Sequence, residues 1–426
     1  MVSSTTIHPG GAGERELPAA ELRARAATIA PPAVAPAVEV RFEGRPCWAE
    51  VSLDAIARNL RAIRQHIGGK RKILAIVKAD AYGHGAVAVS RALADAGADW
   101  FGVTSVAEGA ELREAGIRQP VLVLSGFWPG EENHLVGYGL TPAITDAAQL
   151  RYLEDAVARV RRGPNGVSPL GFHLKIDSGM HRLGLAPENL GAFAGALADC
   201  LYLKMEGTFT HFASSEDFSS AQTAEQESVF AAALSELRRR GVRPGIVHLA
   251  NSAAIASRPT TWADMVRPGA LLYGYHQFYE PAEREAQAAD ALPLAPALSL
   301  RARIIALREL PAGASVGYNA RFVAARPSRI GILAAGYADG LVRRLTGSGC
   351  VLVRGKRVPL VGTISMDLAA VDLTDAPEAA LGDVATIFGA DGGDTILPSD
   401  VARQLGTVTA DILCSIGKRV PRFCVR

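Results

Sequence analysis

Ile73-Leu-Ala-Ile-Val-Lys-Ala-Asp-Ala-Tyr-Gly-His-Gly85 is an unbroken apolar run that ends in a lysine and a glycine-rich loop. The apolar residues 73–77 predict a strand buried on both faces. Apolar positions at helical spacing follow over 86–96. The next strand is expected at 100–104, and Ser105 is placed to cap a helix over 106–115. Working outward, strands are expected at 121–124, 143–144, 172–176, 204–210 and 246–249. Helices fit between them, for example over 221–240, and a last β-like stretch lies near 265–273. Repeated βα units of this length imply an α/β protein with a parallel sheet. Roughly eight units in about 230 residues favour a closed (β/α)8 TIM barrel. Pattern alone leaves an open doubly wound sheet as the alternative.

Past this region the pattern changes. Residues 280–295 are rich in Ala, Glu and Pro and read as a linker. Beyond Leu298, Val- and Ile-rich runs at 302–307, 330–335, 350–353, 357–361, 369–373 and 384–388 lie close together, separated by Gly, Pro and Asp. They predict a mostly-β C-terminal domain, with helices at 399–405 and 409–416. The expected division is an extension over 1–45, a strand at 46–52 that joins the C-terminal domain, a barrel over 53–285 and a β domain over 286–426. The extension is Ala-, Pro- and Gly-rich and is expected to be mostly disordered. Prolines and preceding acids make it a poor secretory signal.

The formal net charge is +2, which gives no reason to expect a nucleic-acid or membrane partner. No apolar run approaches the ~18 residues of a membrane span. Five scattered cysteines without a CxxC pair suggest neither disulfides nor zinc, and fit a reducing, cytoplasmic setting. No His, Cys or carboxylate cluster has metal-ligand spacing, so no metal is expected.

Lys78 ends a buried strand, and in a barrel those C-terminal ends form the active face. A partly desolvated lysine there has a lowered pKa and can form a Schiff base. A lone lysine at a strand end is more often simply solvated. The surrounding run Val77-Lys-Ala-Asp-Ala-Tyr-Gly-His-Gly85 resembles the signature of the alanine racemase family, fold-type III enzymes that use pyridoxal 5'-phosphate. The resemblance covers about residues 46–424. It implies that Lys78 carries the cofactor covalently and that Tyr82 hydrogen-bonds its phosphate.

Further blocks occur in that family's order. In His173-Leu-Lys-Ile-Asp-Ser-Gly-Met-His-Arg-Leu-Gly184, Arg182 corresponds to an arginine that touches the cofactor's phenolic oxygen and the substrate carboxylate, a task suited to a planar guanidinium. Lys175 matches a lysine that is carbamylated in many relatives; the other reading is a strand lysine paired with Asp177 or another acid. In Thr210-His-Phe-Ala-Ser-Ser215, His211 resembles a histidine lying against the pyridine ring. Asn251 and Ser252, in His248-Leu-Ala-Asn-Ser-Ala-Ala254, are expected at the cofactor, Ser252 on the phosphate; Ser252 also reads as a helix N-cap. In Met265-Val-Arg-Pro-Gly-Ala270, the resemblance implies that Arg267 donates to the pyridine nitrogen and that Gly269 and Ala270 complete the phosphate cup. In the second domain, Tyr318 corresponds to a second catalytic base and Met366 to a residue whose backbone meets the substrate carboxylate. Both are implied to serve the partner's site in a homodimer.

The implied activity is two-base racemisation of a small amino acid, L-alanine to D-alanine and back, a chemistry shared by D-alanine supply for the cell wall and L-alanine catabolism. Two departures from the pattern stand out. Asn319 replaces a usual glycine, and Lys418 replaces a tyrosine that narrows the entrance in many relatives. They keep open a broad-specificity racemase acting on serine or basic amino acids. A lyase or decarboxylase of the same fold type is disfavoured by Arg267, because decarboxylases pair the ring nitrogen with an acid. A non-enzymatic cofactor binder is disfavoured by the second domain.

Overall fold

The computed structural model describes residues 45–160 and 169–425. The expected extension therefore lies outside the described residues, apart from Arg45. Eight strands, Lys72–Ile76, Trp100–Val103, Val121–Val123, Thr141–Ile144, Leu170–Lys175, Leu203–Phe209, Ile246–His248 and Met265–Val266, form one sheet. Every pairing in it is parallel. The last strand lies beside the first, and the end strands are joined by Asp264 N donating to Val247 O (3.0 Å) and Arg267 N to Ala250 O (2.9 Å). The sheet thus closes, and the open-sheet alternative is excluded.

Side-chain alternation explains the closure. Leu74 and Ile76 point into the barrel, where they pack with Trp100, Leu122, Ala143, Phe209 and Met265. Ile73, Ala75 and Val77 belong to the layer shared with the outer helices. An uninterrupted apolar run is what a strand needs when both faces are covered. The outer helix Leu53–Ile67 shows the complementary pattern. Ile56, Leu60, Ile63 and Ile67 recur at helical spacing and are buried, each stabilising by ~1.5–3 kcal/mol. Ser52 caps this helix by accepting from Ala55 N, and Gly68, at φ 80°, ends it.

The second body is a nine-stranded, largely antiparallel sheet. The strand Cys47–Ser52 pairs antiparallel with Leu298–Leu310 and parallel with Arg422–Val425, so the first and last described strands lie together. Leu298–Leu310 is far longer than expected because a register shift between Ile304 and Ala306 lets it continue from one set of partners to another.

Two expectations are corrected. Residues 280–295 contain a helix, Glu283–Ala291, rather than a bare linker. Ala and Glu are strong helix formers, and with Ala288 its one buried residue the helix shows no apolar stripe in the sequence. The β-like stretch 265–273 is a strand only at Met265–Val266. Pro268 has no N–H to donate, and Ala270–Tyr273 turns into a short 3-10 helix. Among the described residues, no helix is long and apolar enough to cross a membrane.

Candidate active site

A cavity of about 290 Å³ opens at the C-terminal ends of the barrel strands. Lys78, Tyr82, Lys175, Arg182, His211, Asn251, Ser252, Arg267, Gly269 and Ala270 all line it, so residues scattered over 190 positions of sequence converge. Four of the lining residues are cations and one, Glu216, is an acid, a balance that favours an anionic ligand.

Lys78 opens a turn that the sequence reading took for a plain loop. Ala79, Asp80, Ala81 and Tyr82 all have φ near 54° and ψ of 40–50°, a left-handed helical turn built from four L-residues. Each costs ~1–2 kcal/mol in that conformation, so the surroundings must enforce it. Glu108 accepts from Ala79 N (2.8 Å), and Asp80 accepts from Ala86 N (2.7 Å). The Tyr82 and His84 rings rest on Tyr273, at 5.0 and 4.5 Å between centroids. The Tyr273 hydroxyl in turn donates to Ile76 O (2.8 Å). Gly83 is required, because a Cβ there would meet Leu413 O at 2.6 Å. Nothing in the periodicity marks a left-handed turn; the residues at the bends, Gly83 and Gly85, are its only sequence signal. The Lys78 amine has no hydrogen-bond partner among the described residues. Burial lowers its pKa, as does the Arg182 charge, with Glu108 and Cys414 opposing.

The Arg182 loop is tied at both ends. Leu185 N donates to Lys175 O (2.8 Å) and Asp177 N to Leu185 O (3.0 Å). Inside, Asp177 Oδ1 accepts from the amides of Gly179, Met180 and His181, each at 3.0 Å. Asp177 therefore serves the loop and pairs with His181, not with Lys175. Lys175 is buried with no acid partner among the described residues, which corrects the ion-pair alternative; its Nζ sits 5.7 Å from the Phe209 ring centroid. Burial, then Arg267 and Arg182, push its pKa down to about 8.

Arg267 is fully buried and also lacks a carboxylate partner among the described residues. Its guanidinium donates to Thr210 O (2.7 Å), His248 O (2.9 Å) and Leu249 O (2.9 Å), and meets His211 Nδ1 at 3.3 Å. Its Nε has no partner among the described residues, although the side chain lines the cavity. Burial and the Arg267 charge hold His211 neutral, far below the usual histidine value.

On the cavity wall Tyr82, Ser252 and Gly269 converge. Gly269 N donates to Ser252 Oγ (2.8 Å), and a Cβ on Gly269 would meet Tyr82 Oη at 2.7 Å. Neither hydroxyl finds an acceptor among the described residues, and burial raises Tyr82 to about 12, so it stays a donor. These groups form a cradle fit for a phosphate, and the unpartnered Lys78 amine suits a carbonyl cofactor. The helix N-cap is Asn251, whose Oδ1 accepts from Ala254 N (3.1 Å), so Ser252 is left free for the cavity.

Tyr318 and Met366 do not line this cavity. They are 68% and 52% exposed on the C-terminal body. The Met366 carbonyl is fixed by Ala338 N (3.0 Å) and Arg419 (3.4 Å). Asn319 takes φ 60°, the left-handed region in which glycine is easiest and asparagine next, so its departure from the pattern keeps the backbone shape. Lys418 is exposed and outside the cavity. Sequence reading missed the lining residues Thr104, Ser125, Gln277, Val408 and Ala410, which carry no distinctive chemistry.

Two family models match the chain: alanine racemase, N-terminal domain, over residues 51–277 and alanine racemase, C-terminal domain, over 297–424. The alanine racemase of Symbiobacterium thermophilum is 39% identical, with 89% of this chain and 97% of that protein covered. The crystal structure of alanine racemase from Bacillus anthracis with bound L-Ala-P superposes with TM-score 0.82 at 34% identity, covering 91% of this chain and 96% of that one. The alanine racemase of Bartonella henselae, solved with covalently bound pyridoxal phosphate, superposes with TM-score 0.77 at 27% identity, covering 89% and 99%. With a closed barrel, a β domain and full-length matches of this kind, the chain belongs to the alanine racemase family.

Proposed function

We propose that this chain racemises alanine with pyridoxal 5'-phosphate held in the cavity at Lys78. The carrying observation is the unpartnered Lys78 amine, fixed by a strained turn beside the cradle of Tyr82, Ser252 and Gly269. Lys78 would hold the cofactor covalently. Tyr82, Ser252 and the backbone of Gly269 and Ala270 would bind its phosphate, with Asn251 holding the turn below them. Arg267 would meet the ring nitrogen and His211 the ring. When bound, the cofactor supplies an electron sink that acidifies the substrate Cα–H. Burial lowers Arg267 to about 9, so at neutral pH it keeps its proton and would only donate to that nitrogen.

Racemisation needs a proton removed on one face and returned on the other, each by a base within hydrogen-bond distance. The Lys78 amine serves one face. The second base is Tyr318 of the partner subunit, and the partner's Met366 offers its backbone amide to the substrate carboxylate. This makes the functional unit a homodimer with shared sites; the high exposure of Tyr318 and Met366 on the single chain supports it. Arg182 grips the substrate carboxylate and the phenolic oxygen. Lys175, neutral in part near pH 8, is suited to add carbon dioxide, its amine forming the N–C bond and losing a proton to solvent, and the resulting carbamate would orient Arg182.

Chiral chromatography of the full chain with added pyridoxal phosphate and single L-amino acids tests this reading. D-alanine should be the main product, and Lys78→Ala should lower its formation by ~10²–10⁴-fold. Comparable D-serine, D-lysine or D-arginine would shift the reading to a broad-specificity racemase, for which the exposed Lys418 provides the motive. No D-product from any substrate would sink the racemase assignment.

A further inference from the structure

The reaction as described gives no role to His173 and His248, two buried histidines in mutual hydrogen-bond contact. We propose that His173 is a positioning residue for Arg267, acting as the acceptor that satisfies the proton which Arg267 leaves on the far nitrogen of His248. The inference rests on the reading of Arg267 as the residue that meets the cofactor ring.

The proton order follows from donors and acceptors alone. A guanidinium only donates. Arg267 Nη1 lies 3.2 Å from His248 Nδ1, so that nitrogen must be bare. A neutral His248 then carries its proton on Nε2. His248 Nε2 lies 2.9 Å from His173 Nδ1, so His248 donates and His173 accepts. The His173 proton is thereby placed on Nε2, a buried atom with no partner among the described residues. Burial, reinforced by Arg267, keeps both rings neutral, His173 down to about 3 and His248 far below its usual value.

The fold makes room for this arrangement. The His173 ring lies over Gly207 of the neighbouring strand, where a Cβ would meet His173 Cε1 at 2.6 Å, Nδ1 at 2.7 Å and the backbone Ile246 O at 2.8 Å. Trp100 packs on its other side, 5.0 Å between centroids. His248 stacks on Phe209, a lining residue of the cavity, at 4.7 Å and 10°. Without the His173 acceptor, the His248 Nε2–H would be buried and unsatisfied, which weakens the tautomer that accepts from Arg267. By satisfying that proton, His173 supports the tautomer that holds the guanidinium, which has no carboxylate partner among the described residues.

Ring-nitrogen 15N NMR on histidine-labelled, full-length holoenzyme tests this, with kcat and KM for alanine measured alongside. In the unmodified protein His173 and His248 should both be protonated at Nε2. His173→Leu should move His248 toward the Nδ1–H form and lower kcat about tenfold with little change in KM, from a partner left unsatisfied. His173→Asn, whose amide oxygen can stand near Nδ1, should restore both. Gly207→Ala, whose Cβ would press on the His173 ring and on Ile246 O (2.8 Å), should reproduce the His173→Leu shift, and the tautomers of the unmodified protein, which need no variant to fold, cover the case of an unfolded leucine variant. A His248 already protonated at Nδ1, or a His248 signal unmoved in both His173→Leu and Gly207→Ala, would overturn the proposal. A purely structural His173 would lower stability without moving that signal. If the expected pattern is found in a protein that makes no D-alanine, the functional reading fails and the proton order stands.

Discussion

Lys175 is a buried cation with no acid partner among the described residues, and its burial has a sign that can be measured. Its folded pKa is pushed down to about 8 from an ordinary 10.5. Between those values the unfolded chain binds a proton that the folded chain does not, so stability rises with pH across that window. The penalty is fully present below about 8, gone above 10.5, and worth ~1–3 kcal/mol at neutral pH. Lys175→Met in carbon-dioxide-free buffer should therefore raise the denaturant midpoint at pH 7, with the gain shrinking toward pH 10.5. A gain independent of pH would remove this account. The same variant should weaken alanine turnover, because Arg182 loses the neighbour proposed to orient it. At this scale the sequence was informative about which residues meet, since family motifs mark them, but not about their charge. Lys175 shows the limit: its neighbour in sequence, Asp177, turned out to hold a loop instead.

Loops, more than strands, decide how precisely the site is built. The Arg182 loop hangs on one oxygen, Asp177 Oδ1, which accepts three consecutive amides. Gly184 closes it, since a Cβ there would meet Asp177 N at 2.6 Å. Asp177→Ala should free those amides and loosen Arg182, raising KM for alanine by roughly 3–10-fold, about the worth of one or two such hydrogen bonds. Asp177→Asn, which keeps one acceptor oxygen, should recover most of the loss; steady-state kinetics on both variants would check this, and equal KM values in the two would contradict it. Barrel strands were legible because burial on both faces writes itself as a continuous apolar run, as at Ile73 to Val77. The turn from Ala79 to Tyr82 was not, because left-handed backbone is enforced by Glu108 and Tyr273, residues distant in sequence. Helix Glu283–Ala291 was read as a linker for a different reason: it buries too little to show a stripe.

At the scale of the whole molecule, the division of labour between barrel and β domain makes a demand on assembly. Lys78 lies in the cavity of its own chain, whereas Tyr318 stands exposed on the C-terminal body. If each site takes its lysine from one subunit and its tyrosine from the other, a two-fold dimer holds two equivalent composite sites. Lys78→Ala and Tyr318→Phe should each be nearly inactive alone. Mixed and allowed to exchange subunits, half the dimers become hybrids, and each hybrid has one site with both native residues. The other site in the hybrid lacks both. Activity should then recover to about a quarter of the native level, set by this symmetry alone. Recovery would require that the two residues act in trans. If mass spectrometry shows hybrids and no activity returns, Tyr318 serves its own chain or no chain, and the shared-site dimer is wrong.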